Sequence, residues 1–301
     1  MAFTYEELIA LDNPYEELST GDALAENAKV LNSLSNQEQV MLATKMIAAC
    51  PETRFKEYSH HIEALGRLAH NESTFHAVLT AAYEVRHRIS SLLDPRNKTP
   101  HTLFSKEFNP GLFHRFSALA NLTLESNESA IAERLALCAP EDERSKIAHN
   151  LSIAFPKHIL AEKTRLAFTL RRNVETFLLS DNPEKFFISR DYSSDTCNMF
   201  VNMFRSLLAG HEQTIGKKLC GLDAESRSSI TRRLELLHTE VFDETNPFKL
   251  IADSMNAKLE QNRSQASNAH GLFNHGKSKD KEECPGNNKL DEEKELSCCN
   301  L

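Results

Sequence analysis

The chain has 301 residues, of which 40% are hydrophobic, enough to bury the core of one large domain or two ordinary ones. Nine glycines, ten prolines and no tryptophan, in a background rich in Ala, Leu, Glu and Lys, favour helix over sheet. The formal charge of -8 is uneven: residues 1–28 hold seven acids and no Lys or Arg, and residues 264–301 carry -2, which leaves the body, 29–263, at +1 with no electrostatic case for nucleic-acid binding.

Helix punctuation begins at once. Thr4-Tyr5-Glu6-Glu7 fits a capping box, and Asn13-Pro14 sets a cap followed by proline at the first helical position. Helical patterns follow over 22–34 and 36–50; Ser35 and Glu38 form a second capping box, and Val40, Ala43, Ile47 and Cys50 line one face. A helix over 52–69 follows Pro51. Another runs from Glu72 to Leu93 with Phe75, Val78, Ala82, Val85, Ile89 and Leu92 on one stripe. Residues 94–110, with Asp94-Pro95, Thr99-Pro100 and Asn109-Pro110-Gly111, break the pattern and mark a candidate subdivision. Helices resume over 111–124, 128–138, 141–154, 157–179, 194–215, 224–243 and 247–262, with Ile230, Leu234, Leu237 and Val241 as a buried face. No segment alternates apolar and polar residues long enough to argue a strand. The expectation is an all-α protein, a multi-helix bundle or irregular helical array, folded over 1–263. Residues 264–301 are poor in apolar residues and are expected to form a disordered tail.

No apolar run approaches the ~20 residues that span a bilayer. The start, Met-Ala-Phe-Thr-Tyr-Glu-Glu, has neither a basic flank nor an apolar stretch, which argues against a cleaved secretion signal. Seven cysteines without framework spacing suit a reducing compartment, and no Cys-x-x-Cys exists. Cys197 and Cys220 could serve as nucleophiles, but single cysteines in helical patterns are more often buried and inert. Two Glu-x-x-His pairs, Glu84/His87 and Glu235/His238, have the spacing of di-iron bundles, yet Glu84 and His87 fall opposite the apolar stripe of their helix. Arg165, Arg171 and Arg172, with Lys157 and Lys163, read as a solvated helix face. No catalytic residue, metal or cofactor is expected from these patterns.

Three short motifs point outward. Tyr5-Glu6-Glu7-Leu8 and Tyr15-Glu16-Glu17-Leu18 resemble the paired motif of immune-receptor activation tails and the ligands of Src-type SH2 domains. The same residues serve equally well as helix starts, with both leucines in the core. The ending Cys298-Cys299-Asn300-Leu301 resembles a prenylation box, with the terminal leucine favouring a geranylgeranyl group, and also the double-cysteine ending of Rab-type GTPases. Asn300 and the acidic run 291–295 depart from the usual flanks of such a box. Finally, Glu282, Glu283, Glu292, Glu293 and Glu295 resemble the glutamate-rich export signal of type IVB (Dot/Icm-like) secretion effectors of intracellular bacteria. That resemblance implies a protein delivered into a host cell, acting there on host proteins, with lipidation at Cys298 or Cys299 as a membrane tether. The competing readings are a helical enzyme whose groups converge only in the fold, and a scaffold that is never secreted.

Overall fold

The computed structural model describes residues 3–51, 54, 57, 60, 74–156, 158–189, 192–239 and 244–274. It is all-α, with no strand among the described residues. The chain forms two compact units, Met1–Asn256 and Ala257–Leu301.

The first unit opens with short helices, α1 (Tyr5–Ala10), α2 (Pro14–Glu17), α3 (Gly21–Glu26) and α4 (Ala28–Ser33). The expected helix over 22–34 is interrupted at Asn27. That side chain is 1% exposed, accepts from the Phe3 N–H at 2.6 Å and donates to the Ala23 carbonyl at 2.8 Å, so it draws the N-terminus against the break. Both predicted capping boxes form. The Thr4 N–H donates to Glu7 at 2.7 Å and the Ser35 N–H to Glu38 at 2.7 Å, each glutamate satisfying a helix-start donor.

Helices α5 (Asn36–Ala49) and α6 (Thr74–Leu93) pack together. The stripe of α6 is as expected: Phe75, Val78, Ala82, Val85, Ile89 and Leu92 are all buried. On α5, Ala43, Ile47 and Cys50 are buried as expected, and the buried face is wider than the pattern. Leu42, Ala43, Met46 and Ile47 are fully buried and Gln39 joins them, while Val40 is only half-buried. Gln39 is tolerated inside because its amide donates to the Leu31 carbonyl at 3.2 Å.

Beyond α6 the chain forms α7 (Thr102–Ser105), α8 (Pro110–Arg115), α9 (Ser117–Leu124), α10 (Glu128–Cys138), α11 (Glu141–Ala154) and α12 (Leu160–Asn173). The expected helix over 111–124 is two helices, broken at Phe116, whose ring is buried in the core. The expected 157–179 helix starts at Leu160 and ends in a π-helical turn, Val174–Leu178. Then come α13 (Glu184–Ile188), α14 (Ser194–Met199), α15 (Val201–Leu208), α16 (Glu212–Cys220), α17 (Ala224–Thr239) and α18 (Pro247–Asn274). The single helix expected over 194–215 is three. Phe200 breaks the first junction, and Gly210 at φ +82° turns the second, a left-handed conformation that glycine adopts without steric cost. On α17, Ile230, Leu234 and Leu237 are buried as expected; Val241 lies outside the described residues.

Aromatic rings fill two parts of this core. Phe104, Phe113 and Phe155 meet at 5.8–6.3 Å between centroids, and Phe186, Phe204 and Phe248 at 5.2–6.4 Å. The segment 94–110 lies within the first unit. It is held by α11, where the Asn150 amide donates to the Phe104 carbonyl at 2.7 Å.

A recurring device joins the helices. A helix ends in carbonyls without partners and a partial negative charge, so cations belong there. Lys45 on α5 donates to the Ile9 and Leu11 carbonyls at the end of α1, at 3.1 and 3.3 Å. Arg86 on α6 donates to the Ile47 carbonyl and, at 2.7 Å, to that of Cys50, at the end of α5. Arg134 on α10 holds the end of α6 through the carbonyls of Leu92 at 2.6 Å, Asp94, and Asn97 at 2.6 Å. Arg171 on α12 does the same for α10 through Ala136, Leu137 at 3.1 Å and Ala139 at 3.2 Å. Arg233 on α17 reaches the carbonyls of Phe187, in the last turn of α13, and Tyr192, beyond its end. Each link spans more than 30 residues of sequence, so helix ends are satisfied by the helix packed next to them.

In α18 the apolar stripe stops at Met255, two residues before the second unit begins at Ala257, yet the helix continues to Asn274. The sequence pattern predicts its end at 262. Past that point Asn262–Ser267 are solvated and bury no stripe. The expected tail is therefore helical over 264–274, and its remainder, 275–301, lies outside the described residues.

Candidate functional site

The feature best suited to binding is a cleft of about 590 Å³ between α11 and α12. Helix α11 starts immediately after Pro140, with Glu141, Asp142 and Glu143 in its first turn, where the dipole favours acids. Helix α12 starts at Leu160, whose N–H donates to His158 Nδ1 at 3.2 Å. That bond places the imidazole proton on Nε2, facing Glu128 at 3.6 Å. Lys163 joins the same carboxylate at 3.5 Å, fixing the first turn of α12 against α10.

On α12, Arg165, Phe168, Thr169 and Arg172 recur at the spacing of one helical face and form one wall. Arg144, Ser145, Ala148 and His149 of α11 form the other, with Glu141 at the edge. Phe168 and Ala148 are 8% and 7% exposed and make an apolar floor. Arg165 and Arg172 are exposed, and their guanidinium groups have no ion-pair or hydrogen-bond partner among the described residues. Arg144 is 8% exposed; its Nε donates a long 3.4 Å bond to the Ala139 carbonyl, and Nη1 lies 3.7 Å from Glu175. Glu175 is drawn more closely to Arg171, at 2.7 Å. Burial, followed by the neighbouring Arg171 charge, pushes the Arg144 guanidinium below its usual range. Three arginines and one glutamate line this cleft.

The basic strip read from the sequence as one solvated face is divided by the fold. Lys163 pairs with Glu128, Arg171 turns inward to the end of α10, Arg165 and Arg172 face the cleft, and Lys157 lies outside the described residues. Arg144 carried no sequence signal; it sits in an ordinary charged run, Glu141-Asp142-Glu143-Arg144.

The tyrosine motifs lie in the short N-terminal helices. Leu8 and Leu18 are fully buried and Tyr15 is 5% exposed beside Cys50. Burial first, then Cys50, raises the Tyr15 hydroxyl above its usual range. Tyr5 is half-buried and faces Glu38. An SH2 domain grips an extended peptide, so α1 and α2 must leave the body before either motif can be read that way.

Of the Glu-x-x-His residues, Glu84 pairs with Arg88 at 2.6 Å, and His87 stacks on Tyr83 with centroids 6.0 Å apart. Glu235 is exposed, and the His238 side chain lies outside the described residues. Among the described residues no group of three or more His, Cys, Asp and Glu is placed to hold a metal. Cys50, Cys197 and Cys220 are buried; Cys197 is pushed up to about 12 by burial, and the Cys220 thiol donates to the Met255 carbonyl at 3.1 Å. Neither Cys197 nor Cys220 is therefore presented as a nucleophile. Cys298, Cys299, Glu282, Glu283, Glu292, Glu293 and Glu295 all lie outside the described residues.

One buried carboxylate has a structural task. Glu133 on α10 is 7% exposed and accepts from the Met203 N–H at 3.1 Å and from the Asn202 amide at 3.4 Å. It thus caps the start of α15 from another helix. Burial raises its pKa, and the two donated bonds oppose that rise.

No protein-family model and no curated protein matches the chain. A solved structure does: RavA, a Legionella Dot/Icm effector, determined as a surface entropy reduction mutant. It is 38% identical, with a TM-score of 0.78, over 87% of this chain and 78% of that one. The chain belongs to the RavA family. The relationship covers most of the helical body, whereas the type IVB resemblance in the sequence rested on the tail alone.

Proposed function

We propose that this RavA-family chain is a secreted effector, exported by a type IVB system into a host cell, where it acts by binding host proteins. The observation that carries the reading is the family relationship to RavA, an effector of that system. The clustered glutamates Glu282, Glu283, Glu292, Glu293 and Glu295 supply the export signal. Lipid attached at Cys298, with a second chain at Cys299, supplies a membrane tether. One prenyl chain gives only reversible binding, and the acidic run before the cysteines weakens contact with anionic lipid, so stable residence needs the second chain or a protein partner.

Two experiments test this. A fusion to a calmodulin-dependent adenylate cyclase, expressed in Legionella, should raise host cyclic AMP only when the type IVB system is intact. Replacing the five glutamates by alanine should lower that signal while intracellular levels of the fusion stay constant. Export from a strain lacking the system would reject the effector reading. In transfected eukaryotic cells, Cys298→Ser with Cys299→Ser should move the protein from membrane to cytosol; unchanged fractionation would reject the tether alone.

A further inference from the structure

We propose that the cleft between α11 and α12 binds a multiply phosphorylated inositol group, through Arg144, Arg165 and Arg172. This goes beyond the effector reading and does not depend on lipidation of the tail.

Along the first unit, Arg86, Arg134, Arg171 and Arg233 bond helix-end carbonyls, and Arg88 and Arg96 bond carboxylates. Arg165 and Arg172 do neither among the described residues, yet both open on one cleft. Arg144, on the facing wall, is nine-tenths buried and holds its nearest carboxylate, Glu175, at only 3.7 Å. A desolvated guanidinium beside a second guanidinium, Arg171, gains when an anion enters the cleft. Glu141 at the edge and Glu175 behind Arg144 oppose an anion; Arg171 offsets Glu175, so the cleft retains a surplus of positive charge.

Geometry selects the class of anion. Arg165 and Arg172 lie seven residues apart on one face, a rise of ~10.5 Å. Side chains rooted that far apart, with Arg144 on the other helix, offer a separate fork to each of several phosphates on one ring. Arginine forks match phosphate oxygens in pairs. A volume of about 590 Å³ is in the range that encloses small ligands rather than extended chains. The apolar floor of Phe168 and Ala148 suits the C–H face of a cyclohexane ring. A phosphopeptide would want an extended groove, and a nucleic acid an exposed aromatic platform; Phe168 is buried.

The test uses the full-length chain made in bacteria without a prenyltransferase, so that the tail is unmodified. Calorimetry with soluble inositol trisphosphate should show binding that Arg165→Glu with Arg172→Glu weakens by roughly tenfold or more. Both side chains are exposed, so the thermal melt of this variant should match wild type. Glu141→Gln should tighten binding, an effect that misfolding cannot produce. Sedimentation with phosphatidylcholine vesicles containing phosphatidylinositol bisphosphate separates the sources. Pelleting with the vesicles identifies a membrane headgroup, and binding of the soluble probe alone identifies a free inositol phosphate; either supports the proposal. No binding of either probe, binding unaffected by the arginine reversals, or binding of phosphopeptides alone would overturn it.

Discussion

Removing the Arg134 guanidinium tests the idea that neighbouring helices satisfy one another's ends. Arg134 projects from α10 and donates to three carbonyls at and beyond the end of α6, those of Leu92, Asp94 and Asn97. A hydrogen bond with a charged partner contributes ~1.5–3 kcal/mol net when it is buried. Arg134 is half-buried, so water replaces part of what is lost, and the helix-end charge term adds well under ~2 kcal/mol. Arg134→Ala should therefore cost about 2–4 kcal/mol. Arg134→Lys keeps the charge but cannot fork across three acceptors, so it should recover about half of that loss. Arg96→Ala is the control: it removes an equal charge beside the same helix end, but its side chain is 89% exposed and, among the described residues, pairs with Asp94. That variant should melt in urea at the wild-type midpoint. Urea denaturation followed by far-ultraviolet circular dichroism gives the three values, provided the slopes agree. If Arg134→Ala fell within about 0.5 kcal/mol of wild type, or lysine replaced arginine fully, the fork would not hold the α6 end.

Three further outcomes follow from the packing. A Cβ built on Gly216 would lie 2.8 Å from the Ser254 side chain and 3.0 Å from the Ile251 carbonyl, so Gly216→Ala should cost about 1–3 kcal/mol by thermal denaturation; a neutral result would mean that α16 and the start of α18 are less closely packed. Burial raises the Glu133 pKa, so the folded state holds that proton to higher pH than the unfolded chain does, and its contribution to stability falls as pH rises from the ordinary glutamate range through the raised value. Glu133→Gln should lack that loss, and its stability relative to wild type should climb over this window and then level off; a difference independent of pH would refute the assignment. With a thiol at about 12, Cys197 should resist alkylation at neutral pH while the half-buried Cys138 reacts, as mass spectrometry after iodoacetamide treatment would show.

What the sequence determined by itself is local. The capping boxes at Thr4 and Ser35 form because both partners lie within one turn, and α6 buries Phe75 through Leu92 because a helix puts those positions on one side. The effector resemblance was also legible, since an export signal is a short linear segment; the RavA relationship reaches the same class through the helical body. Tertiary structure decided whatever required two distant segments. Gln39 enters the core with its amide on the Leu31 carbonyl, a partner eight residues away, so the buried face of α5 takes in a polar residue. The helix breaks at Phe116 and Phe200 lack a proline or glycine; the rings go into the core, and packing overrides the continuous local pattern. The arginines are the sharpest case. Arg165, Arg171 and Arg172 look alike in sequence, with the same propensity and charge. Which one seals a helix end and which two line a cleft depends on where α10 and α11 sit around α12, and long-range packing, not local pattern, sets that position.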